Sequence, residues 1–120
     1  MNVVFFQVDG ILNFDGSDAK APDGSMGISE ARVKQFRKLL DGMNAKPVLY
    51  GSWKKEWEFR DELCTAKGTY LNKKLNRRGI HILDKTKDGE SDNAEINEWL
   101  SRHPNIEDHY TLWEGDFGDE

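Results

Sequence analysis

The sequence holds a single cysteine, Cys64, in 120 residues. One thiol excludes an intramolecular disulfide framework and a zinc site built from several thiolates, and it fits a reducing, cytoplasmic setting. Neither a nearby His nor a nucleophile motif accompanies Cys64, so a partly buried spectator is expected. The three histidines, His81, His103 and His109, are scattered without metal-ligand spacing and carry no catalytic role. No stretch approaches the ~20 apolar residues that cross a bilayer, and the N-terminus lacks the basic region and longer apolar run of a signal peptide. Positive charge is in deficit. A net charge of −5 argues against general phosphate-backbone binding and suits a surface that seeks basic partners. No internal repeat and no linker divides the chain, so residues 1–120 are expected to form one domain.

Large apolar side chains are present in spite of the polar composition: 4 Trp, 6 Phe and 3 Tyr supply the surface that disordered chains lack. The run Val3 to Val8, interrupted only by Gln7, is short and rich in β-branched and aromatic residues, the pattern of a strand buried on both faces. Residues 13–27 (NFDGSDAKAPDGSMG) read as a long loop, of a length that is usually functional or mobile. Ser29 is placed to cap a helix whose apolar face is Val33, Phe36, Leu40 and Met43. Pro47 to Tyr50 predicts a second strand, ending at Gly51-Ser52. A helix is expected from there, with Trp53, Trp57 and Leu63 on the dry side, and another after Gly68 through Leu71 and Leu75, stopping at Gly79. Ile80 to Leu83 predicts a third strand and Asp84 to Ser91 a polar connection. Asp92 resembles an N-cap, with Glu95 completing a capping box and Ile96, Trp99 and Leu100 forming the buried stripe of a helix that ends before Pro104. His109 to Trp113 predicts a fourth strand, followed by an acidic tail over 114–120.

Strands alternating with helices imply right-handed βαβ units and a mainly parallel, Rossmann-like α/β sheet covered on both faces. Ligands bind such sheets at the carboxyl ends of the strands. Those ends are Gln7 to Asp9, Gly51 to Ser52, Asp84, and Glu114 to Asp116.

These residues carry a resemblance. VVFFQVDGILN resembles the hhhhDxDGxLN opening of haloacid-dehalogenase-like phosphatases, especially a small, capless bacterial and phage branch. VLYGSWKKEW is similar to that branch's hhhSSWR segment, SDNAEINEWLSRHP to its R..EI..WL..HP helix, and YTLWEGD lies where an hhLDD strand end belongs. Nearly the whole chain is covered. In active members the first Asp of DxD attacks phosphorus and the second is the general acid and base. The resemblance puts Gln7 at the nucleophile position, where a neutral amide neither attacks nor helps to hold Mg²⁺. Asp9 matches the second Asp, with Gly10 keeping the turn. Gly51 takes the place of the phosphate-binding Ser or Thr, with Ser52 beside it. Asp92 falls where a phosphate-neutralising base belongs, with Lys85 and Lys87 as possible substitutes from the preceding loop. Glu114 and Gly115 replace the acidic metal pair, with Asp116 one step on. Family members usually continue with more sheet and helix beyond this point, which implies an uncovered edge or face here.

With four motifs altered together, no catalytic residue and no metal ligand is expected: Gln7, Asp9 and Ser52 are vestiges of the first site, and Asp9, Glu114 and Asp116 of the second. No cofactor is expected. The implied function is a HAD-like pseudo-enzyme that binds or inhibits a protein partner, one with a basic, nucleic-acid-binding groove, through Asp15, Asp18, Asp23, Glu114, Asp116, Asp119 and Glu120. If the chain is phage-borne, a backbone-mimicking inhibitor of a bacterial defence complex in the host cytoplasm follows. The alternative is a Mg²⁺-dependent phosphoester hydrolase working from Asp9 and Glu114. Direct nucleic-acid binding is disfavoured by net charge, although Lys73, Lys74, Arg77 and Arg78 beside Tyr70 form one local basic cluster. The bland account of these carboxylates is a solubilising tail and a polar loop, and of the basic cluster a solvated helix face.

Overall fold

In a computed structural model of the chain, residues 1–117 are described. The elements run β1 (Asn2–Phe6), α1 (Glu30–Met43), β2 (Ala45–Leu49), two short 3₁₀ turns (Ser52–Glu56 and Asp61–Leu63), α2 (Ala66–Asn76), β3 (Asp84–Lys85), α3 (Asp92–Ser101) and β4 (Asp108–Thr111). The four strands form one sheet in the order β3-β2-β1-β4, and every pairing is parallel. Parallel neighbours need crossovers, and the three helices supply them.

The alternation of β1 builds both layers. Val4 and Phe6 point into a core formed with Val33, Phe36 and Leu40 of α1 and Leu71 and Leu75 of α2. Val3 and Phe5 point the other way, to Val48, Tyr50, Ile96 and Trp99. The Phe5 and Trp99 rings meet edge to face at 5.4 Å, and Phe6 lies 4.8 Å from Phe36. Ser29 caps α1 as expected, accepting from the Arg32 amide, and Asn44 closes the helix in the left-handed region at φ 50°.

Several elements depart from the sequence pattern. The helix expected through Trp53, Trp57 and Leu63 is instead two 3₁₀ turns. Lys85 Nζ takes the carbonyls of Lys54 and Trp57 at 2.8 and 2.7 Å, acceptors that a continuing α-helix would have used, and Leu63 is left exposed. α2 starts earlier than expected, at Ala66 behind a Thr65 cap, with Gly68 inside it. The third strand is displaced from 80–83 to Asp84–Lys85. Ile80 is drawn back against α2, its amide donating to the Leu75 carbonyl, and the ladder is bracketed by Leu83 N to Pro47 O and Thr86 N to Leu49 O. Finally, the α3 cap is Ser91 and not Asp92. No capping box forms, because the Glu95 carboxylate accepts from Lys54, Thr86 and the Gly89 amide.

The long loop 13–27 is tied down at several points. Lys20 and Met26 form an antiparallel bridge, Ala21 is buried, and the next residue but one after Met26, Ile28, donates its amide to the Tyr70 hydroxyl on α2.

Candidate functional site

Strand order changes direction at β1, whose neighbours β2 and β4 come from opposite crossovers, and a crevice opens at the carboxyl ends of such strands. A cavity of about 470 Å³ lies there, lined by Asp9, Gly10, Asn13, Asp15, Arg32 and Glu114 among others. The chain leaves β1 in a tight turn in which the amides of Ile11, Leu12 and Asn13 all converge on the Val8 carbonyl. Gly10 takes φ +81° in that turn, and Glu114 lies directly against it: a Cβ on Gly10 would stand 2.3 Å from Glu114 Cγ. The Gly115 amide then donates to the Gly10 carbonyl at 3.3 Å, joining the β4 end to the β1 end.

Asp9 is the centre of the polar network. Its Oδ1 accepts from Asn13 Nδ2 at 2.9 Å and from Trp53 Nε1 at 3.0 Å, and its Oδ2 accepts from Ser52 Oγ at 3.0 Å. Asn13 Oδ1 in turn accepts from the Gly10 amide. Partial burial pushes the Asp9 carboxyl up, but the hydrogen bonds from Asn13, Trp53 and Ser52 and the nearby Lys67 charge outweigh it and hold the group below its ordinary range. Asp9 is therefore a carboxylate already supplied with three donors.

Gln7 sits one residue before Val8 with its side chain against Gly51. A Cβ on Gly51 would come within 2.8 Å of both Gln7 Cβ and Oε1, and Gly51 adopts φ +90°, so this crossing requires glycine on both counts. The structure thus brings Gln7, Asp9, Ser52 and Glu114 to one rim, as the strand ends implied. Asp84 does not join them: it accepts from Trp99 Nε1 at 2.8 Å, under α3. Asp116 also turns away, its Oδ2 accepting the Trp113 amide at 2.7 Å.

The cation position differs from the expected one. Asp92 lies on the Tyr50 side of the sheet, where burial, with Asp92 and Asp116 adding to it, pushes the phenol well above its ordinary range. Tyr50 donates to the Leu112 carbonyl. Lys85 is spent on two carbonyls and Glu58. A cation the sequence pattern did not indicate, Lys67 from the first turn of α2, acts on Asp9, while Arg32 lines the same cavity. Lys67 Nζ rests 4.3 Å over the Trp53 ring and 3.6 Å from Asp23. Sequence order offered no sign of Lys67, since the family pattern carries its base at the start of α3. Asn13 does carry a signal, being the last residue of VVFFQVDGILN, whereas the helical spacing of Trp53 points only to the core although its indole N–H serves Asp9.

These residues do not suit a Mg²⁺ ion of the kind the fold family implies. Gln7 brings a neutral amide, both Asp9 oxygens are engaged by donors, and Asp116 faces its own turn. Among the described residues, no group of three or more His, Cys, Asp or Glu side chains is close enough to hold a metal.

The proposed partner-binding carboxylates are scattered. Asp15 and Glu114 share the cavity with Asp9, Asp18 is exposed and outside it, and Asp23 is held by the Ser25 amide and hydroxyl and faces Lys67. Asp119 and Glu120 lie outside the described residues. The basic cluster of α2 is partly neutralised: Lys74 and Arg78 reach Glu30 at 3.0 and 3.6 Å, and the Tyr70 hydroxyl accepts the Ile28 amide. No helix among the described residues is long and apolar enough to cross a membrane.

No curated protein matches the chain. Residues 3–113 match the family described as the HAD domain in Swiss Army Knife RNA repair proteins. With the parallel 3-2-1-4 sheet and the crevice at its switch point, the match shows that this chain belongs to that haloacid-dehalogenase-like family.

Proposed function

We propose that the chain is a non-catalytic member of this family that works by binding a protein partner. The observation that supports this is the first-strand site itself: an amide, Gln7, stands at the nucleophile position, packed against Gly51, while Asp9 is closed into hydrogen bonds with Asn13, Trp53 and Ser52. A carboxamide forms no acyl phosphate, and a carboxylate that already accepts three hydrogen bonds is a poor proton shuttle. The partner of this proposal carries a basic groove, met by Asp15 and Glu114 at the cavity mouth and by Asp18 on the loop. Inhibition of a phage host's nucleic-acid-binding defence complex is the specific form that small size and acidity suggest.

The second reading is a Mg²⁺-dependent phosphoester hydrolase: the retained Asp9 and Ser52 beside Glu114 support it, and the engaged Asp9 oxygens count against it. Turnover of a phosphoester panel with Mg²⁺ separates the two, and the panel includes RNA with terminal phosphates because the family is described from RNA repair proteins. The expected result is no turnover by the chain as it stands and none by Gln7→Asp. Turnover that Asp9→Asn abolishes would establish the hydrolase and end the pseudo-enzyme proposal.

A further inference from the structure

A second groove, of about 400 Å³, lies away from the Asp9 rim, at the β3 edge of the sheet. Its walls are the Ser52–Glu56 turn and the segment after it, the loop following β3, and the end of α3; it includes Lys55, Phe59, Lys85, Lys87 and Arg102, together with two carboxylates, Asp84 and Asp88. Phe59 is 65% exposed, and it is held edge-on by the buried Trp57 ring at 4.9 Å, whose indole N–H is fixed by Asn72. A large apolar ring kept in water by a rigid neighbour is a flat platform without an intramolecular partner on its outer side. The cations around it divide into two groups. Lys54 is tied to Glu95 and Asp88, Lys85 to Glu58, and Arg102 to Glu98. Lys55 and Lys87 are exposed and have no carboxylate within ion-pair distance among the described residues, although the Lys87 charge is close enough to help hold the Glu98 carboxyl below its ordinary range.

An aromatic platform flanked by two exposed lysines is the chemistry that takes an unpaired base and the phosphates on either side of it. We propose that this groove binds single-stranded nucleic acid, with a base stacked on Phe59 and adjacent phosphates met by Lys55 and Lys87. Duplex is the poorer fit, because it presents a charge about every 1.7 Å and calls for an extended basic surface that a chain of net charge −5 does not offer. The two carboxylates of the groove are both engaged within the chain, Asp84 by the Trp99 indole N–H and Asp88 by Lys54. The groove does not depend on the state of the Gln7 site, so hydrolysis at that site would leave the proposal intact.

The test is fluorescence anisotropy of a short labelled oligouridylate with the full chain over a salt series. Saturable binding at low salt is expected, with a log–log salt slope of about −1.4 for two phosphate contacts to a single strand. Phe59→Ala weakens binding by about tenfold or more while Phe59→Trp preserves it. The pair Lys55→Glu and Lys87→Glu removes binding, whereas Lys73→Glu with Arg77→Glu on α2 does not. All substituted side chains are exposed, and a thermal melt of each variant verifies its fold. Absence of saturable binding by the unaltered chain overturns the proposal, as does indifference to Phe59→Ala. Equal loss from the α2 pair, or comparable binding to phosphatidylserine vesicles, overturns it as well, by moving the site or the ligand class.

Discussion

Gly68 offers a test in which two physical effects predict opposite signs. It lies in the first turn of α2, where replacing glycine by alanine ordinarily stabilises a helix by up to about 1 kcal/mol. Here, a Cβ on Gly68 would stand 1.8 Å from the Glu56 carbonyl oxygen and 2.6 Å from its carbon, both backbone atoms that cannot rotate aside. Ordinary contact begins at 3.4 Å, so α2 and the Ser52–Glu56 turn must separate by well over an ångström. That carbonyl also accepts the Thr65 amide at 3.0 Å, and Thr65 is the α2 cap. Overpacking costs about 1–3 kcal/mol, and the strained hydrogen bond adds about 1. Set against the propensity gain, the net destabilisation of Gly68→Ala is about 2 kcal/mol. For a domain of this size, that lowers Tm by about 6–10 °C. Gly42, near the end of α1, is the control: a Cβ there would meet nothing within 4 Å, and Gly42→Ala gains up to about 1 kcal/mol from propensity alone. Thermal and urea denaturation of the two variants side by side give the result. A raised Tm for Gly68→Ala would refute the close approach of α2 to the turn that carries Ser52 and Trp53.

Trp53→Phe keeps an aromatic ring but removes the indole donor to Asp9. The Asp9 pKa, followed by carboxyl NMR, then rises toward the ordinary value, and stability at neutral pH falls by about 1 kcal/mol. Because the folded-state pKa of Asp9 is depressed, its contribution is fully present above the unfolded value near 3.8 and is lost as pH falls through the lower, folded one; acid unfolding of Trp53→Phe therefore starts at higher pH than in the parent. Lys54→Met removes the ammonium that lies 2.6 Å from Glu95 and leaves a nearly buried carboxylate with only Thr86 and the Gly89 amide, which costs about 2 kcal/mol in urea denaturation. Burial pushes the Lys54 pKa down, but hydrogen bonds from its ammonium to Glu95 and Asp88 outweigh it and raise the pKa overall. Its contribution is thus intact below the unfolded value of 10.5 and is lost as pH climbs through the folded one, giving the parent chain an alkaline transition that Lys54→Met lacks.

The elements legible in the sequence are those whose packing is local or strictly periodic. β1 could be read because Val3, Val4, Phe5 and Phe6 are all buried, whichever face they take. α1 could be read because its cap and apolar stripe agree. The elements that went astray are set by groups distant in sequence. Lys85 ends the helix expected after Ser52 by taking its carbonyls across 31 and 28 residues, and Lys54 draws Glu95 out of a capping box across 41. No periodicity records such a claim on a carbonyl or a carboxylate. The site shows the same division. Strand ends predicted the meeting of Gln7, Asp9, Ser52 and Glu114, because topology alone brings them together. Lys67 could not be foreseen, since it arrives from a different helix than the family pattern implies.

That change of helix bears on how the site is balanced. An Asp at position 7 would put a second carboxylate beside Asp9, and two such charges at one rim require a cation between them or a raised pKa on one. With Gln7 that charge at the end of β1 is absent, and Glu114 is the rim's other carboxylate, from the end of β4. Asp9 is met by three neutral donors, and the lysine whose charge acts on it, Lys67, is shared with Asp23 and the face of Trp53. Neutral donors and a shared lysine are enough for the Asp9 carboxylate itself. The Lys67–Asp23 contact also joins the 13–27 loop to α2 beside the same indole that serves Asp9. A network closed in this way stabilises a single arrangement of loop, turn and helix around Asp9.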